Sequence, residues 1–345
     1  MIANFVAADI ETSFNIVFDA EYLKNMDDVV QHVAIDNPVG FFTNISQTNF
    51  SISSNIINEK NRNLDAILEF DFMGENGFEI VSAYLYYKTG NLFFNVGKLE
   101  NLVATTEKTL DYDGYYSAGG IQTGVLANMR QARIGYNIGD FKLSFAITDE
   151  LPSNGSIKKI NYYMQQPAVE ASISFENKTM NSKIASHIAK INTDKEESFT
   201  AMILMNETNI NFAPFGLKLS GFYSQAGSQF FVVDEMFDFY FFNEKIESVN
   251  NYGGYGQLIY DLKKSSVWLG VGGFFTDKTD IENLKDLDVN FLKSNLRFSF
   301  GFEYEVLKNT KISFEYSKYI TYRIEDKNEN RYKGDSFHFQ VSIEF

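Results

Sequence analysis

Two-residue alternation of apolar and polar side chains constrains this chain more than any other feature. The last nine residues, FHFQVSIEF, show it without a break: Phe, Phe, Val, Ile and Phe alternate with His, Gln, Ser and Glu from Phe337 to Phe345. Because successive side chains of a β-strand point to opposite faces, this pattern predicts a strand with one apolar and one polar face. The sequence printed here thus ends within a predicted strand, on an aromatic residue.

The same alternation recurs along the whole chain. Five more segments show it strongly: 63–72, 141–148, 168–176, 295–305 and 311–317. Ten weaker ones are 13–20, 49–57, 78–87, 92–98, 131–138, 182–191, 198–205, 215–224, 254–262 and 266–275. The pattern therefore predicts an all-β protein of about sixteen strands. No linker, repeat or low-complexity segment interrupts it, so residues 1–345 are interpreted as one domain.

The predicted connections alternate between short and long. Short ones, rich in the Asn, Gly and Asp that tight turns require, are 58–62, 88–91, 137–140, 176–180, 261–264 and 307–310. Long ones are 21–48, 99–129, 150–166, 225–251, 276–292 and 323–335, whereas 73–77 and 192–197 are short where long loops are expected. Short turns at one end and long loops at the other are typical of an antiparallel up-and-down transmembrane barrel with short periplasmic turns and long extracellular loops.

Composition favours a membrane barrel over a soluble sandwich, which the periodicity cannot separate. Aromatic residues make up 16% of the chain, with 34 Phe and 20 Tyr, yet mean hydropathy is only −0.21. No run approaches the roughly 20 apolar residues of a membrane-spanning helix, whereas about 9 to 11 alternating residues suffice for a strand. Tyrosines near predicted strand ends are candidates for the interfacial girdles: Tyr87, Tyr260, Tyr304, Tyr319 and Tyr322.

Charge and residue types exclude several functional classes. The net charge of −15, without a Lys/Arg cluster, argues against nucleic acid. There is no Cys, and His32, His187 and His338 show no spacing typical of a metal site or catalytic triad. We therefore predict no cofactor, no metal and no enzyme. The first residues lack a basic n-region, so the chain is either in mature form with an added Met or not exported.

The terminal strand ending in Phe345 resembles the C-terminal signal that the barrel assembly machinery of Gram-negative bacteria reads. The wider layout resembles the trimeric sixteen-stranded porins, and the DcaP-like group within them. That second resemblance is carried by residues 97–148, with DYDG in the long third loop followed by RQARIGY. It implies an outer-membrane homotrimer with periplasmic termini, contacting lipid and lipopolysaccharide, in which the loop at 99–129 folds inward and narrows the pore. An N-terminal coiled coil, present in some members, is not identified.

Charged residues in and after this loop are the candidate pore constriction. An acidic loop facing a basic wall would place Asp111 and Asp113 opposite Arg130 and Arg133 and so bias which ions enter. The complete set of candidates is Glu100, Glu107, Lys108, Asp111, Asp113, Arg130, Arg133, Lys142 and Arg297. The DcaP-like resemblance implies uptake of small anions such as dicarboxylates, whereas the acidic balance of the chain favours cations, so the sign of selectivity stays open.

The sequence thus predicts a porin that passively admits small hydrophilic solutes and ions, filtered by size and charge. Two alternatives remain open. A surface adhesin or structural barrel would use the hydrophobic loop at 225–251, which either folds over the mouth or packs against a neighbour. An outer-membrane hydrolase would need a His near a Ser or paired acids at the barrel surface or rim.

Overall fold

The structure is a computed structural model that describes residues 9–24, 40–59, 61–74, 77–103, 129–148, 162–164, 166–193, 198–226, 239–242, 245–286 and 290–345. The described elements of the first half are β1 (Asp9–Lys24), β2 (Gly40–Glu59), β3 (Arg62–Gly74), β4 (Gly77–Thr89), β5 (Leu92–Leu99), β6 (Met129–Ile138), β7 (Phe141–Thr148), β8 (Tyr162–Met164), β9 (Ala168–Glu176) and β10 (Met180–Thr193). Those of the second half are β11 (Ser198–Phe212), β12 (Phe215–Gln225), β13 (Phe239–Phe242), β14 (Lys245–Ser248), β15 (Asn250–Asp261), β16 (Ser265–Thr276), α1 (Lys278–Asp286), β17 (Phe291–Leu307), β18 (Thr310–Glu325) and β19 (Asn328–Glu344).

The strands form one closed antiparallel barrel with sixteen places in its wall. β1 and β19 close it, with register pairs running from Asn15–Glu344 to Lys24–Asp335. β8 and β9 both pair with β10 at different residues and share one place, and Pro167, which has no N–H to donate, lies between them. β13 and β14 form a separate hairpin. The predicted fold class is confirmed.

Turn chemistry explains two confirmed connections and one wrong one. Gly90 and Gly139 each open a two-residue turn with φ +58°, as a type II′ hairpin requires. The long loop predicted at 323–335 is absent, because β18 continues to Glu325 and β19 begins at Asn328. Between them Asp326 and Lys327 both have positive φ, 48° and 65°, as in a type I′ turn. The polar residues there lengthen the hairpin instead of forming a loop.

The apolar face of the barrel points outward. On β9, Val169 and Ile173 are 39% and 55% exposed, whereas Glu170 between them is fully buried. β17 repeats this, with Phe298 46% exposed beside Arg297 at 1%. A soluble sandwich would bury the apolar rows, and apolar surface left in water costs roughly 25 cal/mol per Å². This distribution is therefore that of a transmembrane barrel.

An aromatic girdle lies on the outer face near the short turns. Phe215 packs against Tyr260 with ring centroids 5.0 Å apart, and Phe141 packs against Phe175 at 5.1 Å. The prediction that Tyr260 belongs to a girdle agrees with this position. The corresponding prediction for Tyr319 is wrong, because this side chain is 1% exposed and lies on the inner face of β18.

A small cap of β13, β14 and α1 lies at the barrel end that carries the long connections. Its apolar cluster contains Tyr240, Val249, Leu284, Phe291 and Ile324, so the described part of the 225–251 loop packs on α1 of its own chain. The Tyr240 hydroxyl donates to Asp280 Oδ1 at 3.0 Å, and burial raises the pKa of Tyr240 to about 12. Among the described residues, no helix is long and apolar enough to cross a membrane.

Candidate functional site

A group of charged side chains of both signs lies inside the barrel, where the chain leaves β5. One follows β5, and five are on the inner faces of consecutive wall strands: Glu100, Arg133, Lys142, Glu170, Lys183 and Glu207. The charges of Lys183, Arg133 and Glu207 all act on the Glu100 carboxylate. Acidic and basic groups therefore interleave in the lumen.

Strand register brings these residues together. Arg133 pairs with Ala146, Ala146 with Glu170, and Glu170 with His187, which forms one row across four strands. A second row nearer the short turns contains Lys142, Ser174, Lys183 and Glu207. Because residues in a row occupy the same face, all these side chains point into the barrel.

The start of the third loop is held against β6. The Gln131 side chain donates to the carbonyl of Leu99 at 2.8 Å and to that of Glu100 at 3.2 Å. The Arg133 guanidinium also donates to the Glu100 carbonyl and to Gln131 Oε1. Residues 100–103 therefore follow the inner wall instead of leaving the barrel.

Two residues further on, the same segment contacts the strands beyond β6. The Leu102 N–H donates to Glu170 Oε2 at 2.8 Å. The side chains of Leu102 and Val103 are buried in an interior apolar cluster with Ala146, Ala185, Ile203, Met205, Phe222, Phe274 and Leu292. Burial of apolar surface and one directed hydrogen bond thus fix the loop base together.

Three of the residues proposed from the sequence meet at this place. Glu100 lies beside Arg133, and Lys142 stands on the inner face of β7 with its Nζ 4.6 Å from the ring centroid of Phe93. The positive charges of Arg133 and Lys183 act on the Lys142 ammonium. The loop candidates Glu107, Lys108, Asp111 and Asp113 lie outside the described residues.

The expectation that Arg130 shares a site with Arg133 needs correction. Arg130 is exposed on the same face of β6 as Ala132 and Ile134, whereas Arg133 is on the face of Gln131. Positions three apart in a strand point to opposite faces. Arg130 therefore lies on the outer surface, away from the interior charges.

Arg297 also differs from its expected role in the pore. Its side chain is on the inner face of β17 but only 1% exposed, and its guanidinium forms an ion pair with Glu315. Arg297 Nε donates to Ser317 Oγ at 3.1 Å, and the indole N–H of Trp268 donates to Glu315 Oε2 at 3.0 Å. This arginine is enclosed in the wall and is not presented to the lumen.

Glu170, His187, Lys183 and Glu207 belong to the site but are not among the residues predicted from the sequence. Alternation had already placed Glu170 on the polar face of its strand, which was the available signal. Lys183 and Glu207 belong to β10 and β11, where the alternation is weaker, and Glu207 lies beyond the predicted strand at 198–205. What the pattern lacked was the contact between Glu170 and the loop base, 68 residues apart in sequence.

One Ser–His contact bears on the hydrolase alternative. His338 Nε2 lies 3.2 Å from Ser336 Oγ on the inner face of β19, and Glu315 is the register partner of His338. Ser336 and Glu315 are fully buried, and Glu315 already accepts hydrogen bonds from Arg297 and Trp268. Ser336 has no solvent-accessible surface, so a substrate cannot approach its hydroxyl. Within the described ranges, no cluster of His, Asp or Glu has the arrangement of a metal site.

The fold and interior define a class: closed sixteen-stranded transmembrane barrels with a charged lumen. The outer-membrane channel DcaP of Acinetobacter baumannii is similar in structure, with TM-score 0.82 and 17% identity over 98% of this chain and 97% of that one. The anion-selective porin of Comamonas acidovorans gives 0.67 and 10% over 98% and 100%. The trimer form of OmpT from Vibrio cholerae gives 0.64 and 10% over 99% and 100%. No family model and no curated protein matches the sequence.

Proposed function

We propose that this protein is a porin of the Gram-negative outer membrane, through which small hydrophilic solutes and ions diffuse passively. The observation that carries the proposal is the inverted barrel: apolar side chains cover the outside, and acids and bases gather inside around the base of the third loop. Such charges act at short range in a narrow lumen and bias which ions enter. The similar solved channels support the same function.

We propose Glu100, Arg133 and Lys142 as charges that filter solutes, together with Lys183. Lys142 is exposed on the inner face of β7, so its ammonium is available to a passing ion. Filtering then needs no bond-making step, and no residue is assigned a catalytic role. The proposed pore-constricting loop is 99–129, of which 100–103 lie on the inner wall.

Single-channel recording in a planar lipid bilayer tests this function. Purified protein should give discrete conductance steps, and the reversal potential in a salt gradient reports the sign of selectivity. A folded barrel that inserts without conductance steps would contradict the porin and favour the adhesin or structural alternative. Hydrolysis of ester or peptide substrates by the same preparation would instead favour the enzyme.

We also propose a homotrimer in contact with outer-membrane lipid and lipopolysaccharide. The apolar outer face supports contact with lipid, and one similar structure is described as a trimer. Native mass spectrometry in mild detergent should give three times the mass of the chain. A monomer under all detergents tried would contradict the trimer without affecting the pore.

Phe345 is proposed as the residue that the barrel assembly machinery reads. Its N–H donates to the Phe14 carbonyl at 2.9 Å, and its side chain is 68% exposed. The backbone therefore closes the barrel, whereas the ring is available to a partner. Phe345→Ala should lower the amount of folded barrel in cells several-fold and leave the conductance of the folded fraction unchanged, measured by surface quantification and bilayer recording. Wild-type assembly of this variant would contradict the role.

A further inference from the structure

We propose that Glu170 and His187 form a latch that holds residues 100–103 against the inner wall and so sets the bore of the pore. The proposal rests on the channel function proposed above and assigns positioning roles to both residues. It concerns residues 100–103 alone, which are the described part of the loop base.

The geometry of the carboxylate is that of a link between wall and loop. Glu170 Oε1 lies 2.9 Å from His187 Nδ1, and Glu170 Oε2 accepts the N–H of Leu102 at 2.8 Å. Both side chains are fully buried. One oxygen is thus bound to the neighbouring strand and the other to the loop, so the imidazole orients the carboxylate that holds Leu102.

A buried carboxylate forms directional hydrogen bonds, which an apolar residue at the same place could not form. Burial of such a group is costly unless it is paired and hydrogen-bonded. The apolar contacts of Leu102 and Val103 stabilise the loop base against the wall. Because such contacts are non-directional, they do not fix the position of the loop along the wall. The hydrogen bond to a single backbone N–H fixes the register of the loop along β9.

The latch also positions charge in the lumen. Glu100 precedes Leu102 by two residues, and its carbonyl accepts from Arg133 while its carboxylate interacts with Lys183. A shift of Leu102 along or away from the wall therefore moves the Glu100 carboxylate relative to both cations. Bore and charge arrangement are expected to change together when the latch is broken.

The test uses the full-length protein in liposomes, with swelling rates for neutral sugars of increasing mass. Glu170→Ala removes both bonds and should raise the swelling rate for sugars near the wild-type limit by about twofold or more. Glu170→Gln retains an oxygen for Leu102 N–H, and its amide donates to His187 Nδ1 when the imidazole carries its proton on Nε2. This variant should therefore stay near the wild-type profile. Ser172→Ala, buried two residues away on the same face of β9, is the matched control and should equal wild type.

Several outcomes would overturn the latch. A Glu170→Ala barrel with the wild-type sugar profile contradicts it, whatever its heat stability, and so does a Gln variant that admits the same large sugars as the Ala variant. If Glu170→Ala yields no folded barrel, Leu102→Pro carries the test, because it removes the N–H donor to Glu170. Leu102→Ala keeps this N–H but loses the apolar side chain, and is the control for that loss. An unchanged profile in Leu102→Pro overturns the latch. Absence of conductance in the wild type would instead contradict the porin function itself.

Discussion

Two buried glutamates on different parts of the inner wall use their carboxylates differently. Glu170 divides its two oxygens between His187 in the wall and Leu102 in the loop. Both carboxylate oxygens of Glu315 accept hydrogen bonds from residues of the wall. Oε1 accepts from Arg297 and Ser317, and Oε2 accepts from Trp268. Both are fully buried. Burial and charge therefore do not identify a pore residue; the identity of the partner does.

Aromatic side chains pack around the Glu315 network. The Arg297 guanidinium carbon lies 5.5 Å from the ring centroid of Tyr319, and the Trp268 ring lies across Gly301. With its charges paired and its aromatic neighbours packed around it, this wall contributes rigidity. The wall from β6 to β11 carries the partly exposed cations Arg133 and Lys183 and the exposed Lys142. We expect the wall around Glu315 to govern stability and the wall from β6 to β11 to govern permeation.

The largest expected effect comes from opening the closed network. Glu315→Ala leaves the Arg297 guanidinium buried without its carboxylate, which costs about 3–5 kcal/mol of folding free energy. The temperature at which the folded band converts to the unfolded one in gel electrophoresis should fall clearly.

Lys311→Ala is the matched control for this variant. Lys311 pairs with Glu303 at 3.9 Å on the same strand as Glu315, but both side chains are partly exposed. Such pairs contribute about 0–1 kcal/mol, so this conversion temperature should barely move. Equal shifts in the two variants would show that the buried network has no special role in stability.

A smaller effect is expected from Gly301→Ala. An added Cβ would lie 1.8 Å from the Trp268 ring, so the indole must move, at a cost of about 1–3 kcal/mol. Trp268 is the only tryptophan of the chain, so the emission maximum of the whole protein reports this displacement. Gly256→Ala is the control, because its Cβ would meet only Leu219 at 3.5 Å. An unchanged emission maximum in Gly301→Ala would contradict this packing.

The smallest effect on the free energy of unfolding is expected in the wall from β6 to β11. Lys142→Gln removes an exposed interior cation, so the reversal potential in a salt gradient should move toward cation preference by about a twofold change in permeability ratio. Heat stability should stay near wild type. Arg130→Gln removes a cation from the outer face and should leave the reversal potential unchanged. A shift in the Arg130 variant comparable to that of Lys142 would contradict the assignment of faces.

Local patterns were sufficient for most of the fold. Period-two alternation places Glu170, Lys142 and Arg297 on the inner face without any structure, and Gly90 and Gly139 mark two of the tight turns. The local pattern does not predict the turn at Asp326–Lys327, because a type I′ turn without glycine has no strong local signal. The charge pattern alone misplaces Arg130, because strand parity puts residues three positions apart, such as Arg130 and Arg133, on opposite faces.

The sequence by itself determined that this chain forms amphipathic strands, that they follow one another up and down, and that the last of them is aromatic and alternating. Those properties depend on neighbours one or two residues apart. The tertiary structure alone decided which inner-face charges are enclosed and which reach the lumen. That difference depends on register between strands and on a loop contact spanning 68 residues, and no local periodicity encodes such a distance.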